Sequence, residues 1–123
     1  MATTLVVDGA NVVGARPDGW WRDRAGAARR LHERLLVADT PHDLVVLVLE
    51  GAAKGGVPAG RDGHVRVVHA KGNGDDAIVA EATAATSRGE RVSVVTADRF
   101  LQARVQGVGA IVLGPTWLWQ QLD

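Results

Sequence analysis

Short runs of Val and Leu alternate along this chain with longer stretches in which apolar residues recur every three or four positions. Leu5-Val6-Val7 reads as a first strand. Leu44–Leu49 is aliphatic throughout, the pattern of a central strand covered on both faces in a parallel sheet. Val65–His69, Val92–Thr96 and Ala110–Leu113 supply three more strands. Between them, residues 23–39 put Ala28, Leu31, Leu35 and Ala38 on one helical face, and residues 73–88 do the same with Ile78, Ala82 and Ala85. Asp98–Gln106 reads as a short helix, and Pro115–Leu122 as a terminal one with Pro in its first turn. Gly51–Gly63 holds Gly, Pro and Lys without a period and is expected to be a mobile loop. Strands alternating with helices predict an α/β fold, a three-layer α/β/α sandwich around a mainly parallel sheet.

Composition narrows the function. The 123 residues suffice for a single domain, 1–123, with one packed core. Fourteen basic and fourteen acidic residues cancel, so attraction to a polyanion must come from local patches rather than from net charge. Cysteine is absent, which excludes disulfides, thiolate zinc sites and thiol catalysis. The N-terminus has no basic signal-like region and the longest aliphatic run is far too short to span a bilayer. A soluble cytoplasmic protein without membrane contact is expected.

The chemistry concentrates in acids placed where apolar runs stop or where the following helix begins. Asp8 follows the first strand, Glu50 the second, Asp75 and Asp76 open the helix after the third, and Asp98 follows the fourth. In a parallel α/β sheet these points share the edge where ligands bind. Oxygen ligands gathered there suit Mg²⁺ or Mn²⁺, completed by waters and a substrate phosphate. Some of these acids also have a plainer reading, though Asp75 is less well explained by capping because Asn73 already offers the side chain. Asp98 is what a helix N-cap requires, Asn73 and Asp76 have capping-box spacing, and Glu50 fits a solvated strand end. Asp8 resists such a reading, because Gly9 and Asn11 crowd a second oxygen-bearing side chain into the same turn.

Rival chemistries find little support. There is no P-loop, no nucleophile elbow and no zinc-protease histidine spacing, and His69 is read as a structural residue. Thr96 ends the fourth strand as in phosphoryl-responsive signalling domains. However, no acidic pair follows the first strand, and Gly114-Pro115 stands where such a domain needs Lys.

Three segments, Val6-Val7-Asp8-Gly9-Ala10-Asn11-Val12-Val13-Gly14, Gly74-Asp75-Asp76-Ala77-Ile78 and Val94-Val95-Thr96-Ala97-Asp98-Arg99, resemble the motif blocks of the NYN domains. Within them the likeness is to the YacP-like ribonucleases of the PIN-like nuclease fold. The resemblance implies a metal-dependent endoribonuclease with an acidic pocket for Mg²⁺ or Mn²⁺. Asp8, Asp75 and Asp98 would be its metal-site acids, Asn11 would orient the Asp8 turn, and Asp76 would assist. Glu50 departs from the pattern, since YacP-like members more often carry Asp there. No accessory RNA-binding segment is visible, so a ribosome or protein partner is a further expectation.

Residues 16–34 hold six Arg against three acids, and Lys54, Arg61, Lys71 and Arg99 flank the acid-bearing edge. A basic rim of this kind would guide single-stranded RNA to the acids, with Arg22, Lys71 and Arg99 as the substrate-binding candidates. Trp20-Trp21 suits either the end of the core or stacking on unpaired bases. Trp117 and Trp119, two apart on one helix, are expected to divide between buried and exposed. The competing function is a non-catalytic RNA-binding or scaffold module on the same fold. The sequence leaves the oligomeric state open.

Overall fold

The computed structural model describes residues 1–123, and its sheet has six strands in the order β3-β4-β2-β1-β5-β6. These are β1 (Thr3–Asp8), β2 (Leu44–Leu49), β3 (Gly60–Asp62), β4 (Val65–His69), β5 (Arg91–Val95) and β6 (Ile111–Leu113). All neighbours run parallel except the short edge pair β3–β4. The helices are α1 (Gly9–Gly14), α2 (Arg24–Val37), α3 (Gly74–Ser87), α4 (Arg99–Gly107) and α5 (Pro115–Leu122).

Alternation along the buried strands sorts side chains between two cores. Leu5, Val7, Val45, Leu47 and Leu49 meet Leu31, Leu35 and Leu118 on the face covered by α2 and α5. Val6, Val46, Val48, Val92 and Val94 meet Ile78, Ala82, Leu101 and Val105 on the face covered by α3 and α4. Each fully buried Val, Leu or Ile side chain contributes about 1.5–3 kcal/mol, and these two layers hold the sandwich together. The three-layer α/β/α expectation is met. No helix is long and apolar enough to cross a membrane.

Three expectations change. The turn read from Asp8 to Asn11 is the start of a short helix, Gly9–Gly14. Asp8 caps it and Val12 is buried, which outweighs the weak helix propensity of Gly and Val. Residues 51–63 are not one irregular loop: Gly51–Gly56 forms a 3₁₀ turn and Gly60–Asp62 a strand. The 3₁₀ turn lies so close to α2 that a Cβ on Gly56 would sit 1.9 Å from the Ala25 carbonyl oxygen. Trp117 and Trp119 do not divide, since both are half-buried against the core. Trp119 donates its indole N–H to the Val12 carbonyl at 2.8 Å and carries Arg16 over its ring at 3.8 Å.

The strand order fixes where the carboxyl ends gather. From β1 the chain moves outward through β2 and β4, then returns to place β5 on the other side of β1. β1 is therefore the switch point, the place where open α/β sheets leave a crevice for ligands. Register aligns Asp8 with Val48, Val7 with Val95 and Leu49 with His69, so the segments after β1, β2, β4 and β5 emerge at one edge.

Candidate active site

Asp8 is the last residue of β1 and is only 3% exposed. A buried carboxylate needs hydrogen bonds, and this one has three. Its Oδ1 accepts from the Asn11 amide at 3.2 Å. Its Oδ2 accepts from Asn11 Nδ2 at 2.7 Å and from Thr96 Oγ1 at 2.8 Å. Burial pushes the Asp8 carboxyl above the ordinary carboxylate value, the bonds from Thr96 and Asn11 pull it back, and the Glu50 charge adds a further push upward. Gly9 permits this turn, because a Cβ there would lie 2.7 Å from the Val48 carbonyl oxygen.

Thr96 links the first acid to the last. Its hydroxyl, fully buried, also accepts from the Asp98 amide at 3.2 Å. Gln102 reaches back from α4 and donates Nε2 to the Thr96 carbonyl at 2.8 Å. Asp98 does cap α4, accepting at Oδ1 from the Phe100 and Leu101 amides at 2.9 and 3.1 Å. That accounts for one oxygen only, and Oδ2 has no protein partner. The plainer reading and the functional one are thus compatible.

Asp75 is the acid that structure leaves unexplained. Asn73 caps α3 by accepting from the Asp75 amide at 2.8 Å, so the Asp75 carboxylate itself is free of protein hydrogen bonds. Its pKa is raised, first by burial and then by the charges of Asp98, Asp8 and Glu50, with Arg104 opposing. All four acids therefore act on one neighbourhood. Glu50 enters it by accepting from the Gly74 amide at 3.1 Å. A Cβ on Gly74 would come 3.0 Å from the Glu50 carboxyl carbon, so glycine allows this approach. Asp76 is 70% exposed and pairs with Arg104 at 2.9 Å.

No three His, Asp or Glu side chains are drawn together tightly enough to enclose an ion. The donor set nevertheless suits Mg²⁺ or Mn²⁺. Both Asp75 oxygens, Asp98 Oδ2 and Glu50 Oε1 are unengaged hard donors, and Mg²⁺ is usually held by one or two carboxylates, waters and substrate phosphate rather than by an all-protein cage.

The basic residues separate into two groups. Lys54 donates to the Ala70 carbonyl at 3.0 Å, and Arg61 lies on edge strand β3, opposite Arg66 and short of the site edge. Lys71 and Arg99 are exposed beside Asp75 and Asp98 in sequence and make no ion pair, while Arg22 stands 5.8 Å from the Trp21 ring. His69 is structural as expected, bonded through Nε2 to the Val57 carbonyl at 2.7 Å. Sequence reasoning missed Thr96, Gln102 and Arg104 as parts of this neighbourhood. Only Thr96 left a usable signal, a hydroxyl at the end of a strand adjoining β1.

The family model of the YacP-like NYN domain matches residues 5–123. Among solved structures, Rae1 (YacP) from Bacillus subtilis is similar with a TM-score of 0.79 at 24% identity, over 99% of this chain and 74% of that one. A single-substitution mutant of the same Bacillus subtilis protein gives a TM-score of 0.74 at 23% identity, over 98% and 74%. At these identities the likeness is one of fold. No curated protein matches the chain.

Proposed function

From its membership of the YacP-like NYN domain family, a nuclease-like family, and from its acidic edge, we propose that this chain is a metal-dependent endoribonuclease acting on single-stranded RNA. The observation that carries the proposal is Asp75: a half-buried carboxylate without a hydrogen bond, facing the charges of three other acids, is costly unless a cation joins it. Asp75, Asp98 and Asp8 would hold Mg²⁺ or Mn²⁺, with Glu50 as a further donor. When bound, such an ion lowers the pKa of water and stabilises charge on phosphoryl oxygens.

The side chains divide the remaining work. Asn11 and Thr96 orient Asp8 and favour its ionised form. Gln102 and the α4 cap hold the Thr96–Asp98 segment, and Gly74 positions Glu50 against α3. Arg22, Lys71 and Arg99, all exposed, would meet the RNA phosphates and make binding salt-dependent. Asp76 pairs with Arg104, whose charge opposes the rise at Asp75.

The test is Mn²⁺-supported cleavage of an unstructured RNA by the wild type and by Asp8→Asn, Asp75→Asn and Asp98→Asn, with chelator as control. Each Asn keeps shape but removes ligand charge, so cleavage should fall by orders of magnitude while RNA binding survives. Cleavage persisting in all three variants or in chelator assigns the activity to another site. Binding without cleavage by the wild type favours a non-catalytic RNA-binding module.

A further inference from the structure

The first turn of α1 lies between two hollows that meet at Trp20. One, of about 390 Å³, is lined by Ala10, Trp20, Arg24 and Glu50 together with the small residues of the 51–53 segment. The other, of about 370 Å³, is lined by Ala10, Asn11, Trp20 and Ala97. Both are open to solvent, the second shallow, as a splayed base entering from solution requires. Both also touch the acid neighbourhood, the first through Glu50 and the second through Asn11, which holds Asp8, and Ala97, which precedes Asp98.

Most of the other lining residues are Gly or Ala, so the Trp20 indole is the largest aromatic surface either hollow offers. Trp20 is half-buried. Trp21 meets it edge-on at 6.0 Å and 89°, and a Cβ on Gly14 would stand 3.7 Å from it. The Arg24 guanidinium lies 5.1 Å from the ring centroid and pairs with no acid. Arg24 covers one face of the indole without a carboxylate to neutralise it, and an aromatic ring with such a cation, next to the proposed site for phosphate chemistry, has the composition of a base-stacking platform on its other face.

We propose that Trp20 stacks one unpaired nucleobase of the RNA substrate, with Arg24 supporting the base or its phosphate, so that the adjoining phosphodiester crosses Ala10 and Asn11 towards the acids. The inference rests on the ribonuclease reading and adds the reason for a single-stranded substrate. Bases in a duplex have both faces covered, and only a splayed base reaches the indole.

The experiment measures binding in chelator, where no metal-supported cleavage occurs, of a short unstructured RNA and of the same RNA with abasic positions. The proteins are the wild type, Trp20→Leu, Trp20→Phe and Trp21→Leu. The wild type should bind the intact RNA about tenfold more tightly than the abasic one, in line with the known worth of one base–aromatic stack. Trp20→Leu should bring that ratio close to one, Trp20→Phe should keep most of it, and Trp21→Leu, which lines neither hollow, should leave it intact. Because the readout is a ratio within one protein, a general loss of stability does not mimic it. An unchanged ratio in Trp20→Leu, or an equal loss in Trp21→Leu, overturns the proposal. If the ratio depends on Trp20 but no RNA is cleaved in Mn²⁺, the base site stands and the nuclease reading fails. If cleavage depends on metal and on Asp75 while the ratio ignores Trp20, the nuclease reading stands and the base site fails.

Discussion

Thr96→Val replaces a hydroxyl with a methyl group of nearly the same shape and so tests the link between Asp8 and Asp98. The hydroxyl donates to Asp8 Oδ2 at 2.8 Å and accepts from the Asp98 amide at 3.2 Å, in a place where Thr96 is fully buried. A hydrogen bond to a charged group contributes about 1.5–3 kcal/mol and a neutral one about 0.5–1.5 kcal/mol, so the expected loss is about 2–4 kcal/mol. For a chain of this length each kcal/mol moves Tm by about 4 °C, giving a fall of about 8–16 °C at neutral pH. The Thr96 bond also holds the Asp8 carboxyl down, so the variant should protonate Asp8 at higher pH than the wild type and lose part of its deficit as pH falls. It should require more Mn²⁺ for the same thermal stabilisation. Thr96→Ser keeps the hydroxyl and should cost about 1 kcal/mol for its lost methyl. Thermal melts in chelator at several pH values, then in rising Mn²⁺, provide the measurement. A Thr96→Val protein that melts with the wild type, or below Thr96→Ser by nothing measurable, would refute the reasoning.

Asp75→Asn should melt above the wild type in chelator at pH 7. The folded-state pKa of Asp75 is raised, so the folded chain binds more protons than the unfolded one between the two pKa values and loses stability as pH rises through that window. The gap should close as pH falls towards the ordinary value of 3.8, and the order should reverse in saturating Mg²⁺, where an ion at a hundred times its Kd adds about 2.7 kcal/mol to the wild type. A variant that melts below the wild type in chelator contradicts this. Gly9→Ala should destabilise by about 1–3 kcal/mol in chemical denaturation, since its Cβ would press on the Val48 carbonyl and the Leu49 side chain, and cleavage should fall with the displaced Asp8 turn. Unchanged stability there would mean that β2 yields at no cost.

What the sequence made legible was whatever a local pattern controls. The unbroken aliphatic run of β2 announced a central parallel strand, Asp98 announced a helix cap, and Pro115 announced the start of α5. The acids at strand ends share an edge because the strands that carry them run parallel, which the alternation of strands and helices predicted, while the strand order came only with the fold. Elements without local support escaped. Strand β3 is Gly-Arg-Asp, exposed throughout, and exists because β4 offers an edge to pair with. Helix α1 depends on the Asp8 cap and on burial of Val12 rather than on propensity. Contacts between distant residues were hidden for the same reason. Thr96 and Asp8 are 88 residues apart, and only the β1–β5 pairing brings them together. Lys54 looked like part of a basic rim until the fold supplied the Ala70 carbonyl as its partner, and Arg104 reaches Asp76 only because α4 packs beside α3.

The central claim is that Asp75 and its neighbours bind the ion that supports RNA cleavage. Anomalous diffraction from crystals soaked in Mn²⁺ tests it most directly. A peak within about 2.0–2.6 Å of an Asp75 oxygen and of an oxygen of Asp8 or Asp98, absent from Asp75→Asn crystals under the same soak, is the expected result. Saturating Mn²⁺ with no peak among these acids, or with peaks confined to carboxylates on other edges such as Asp62 and Asp123, would contradict it.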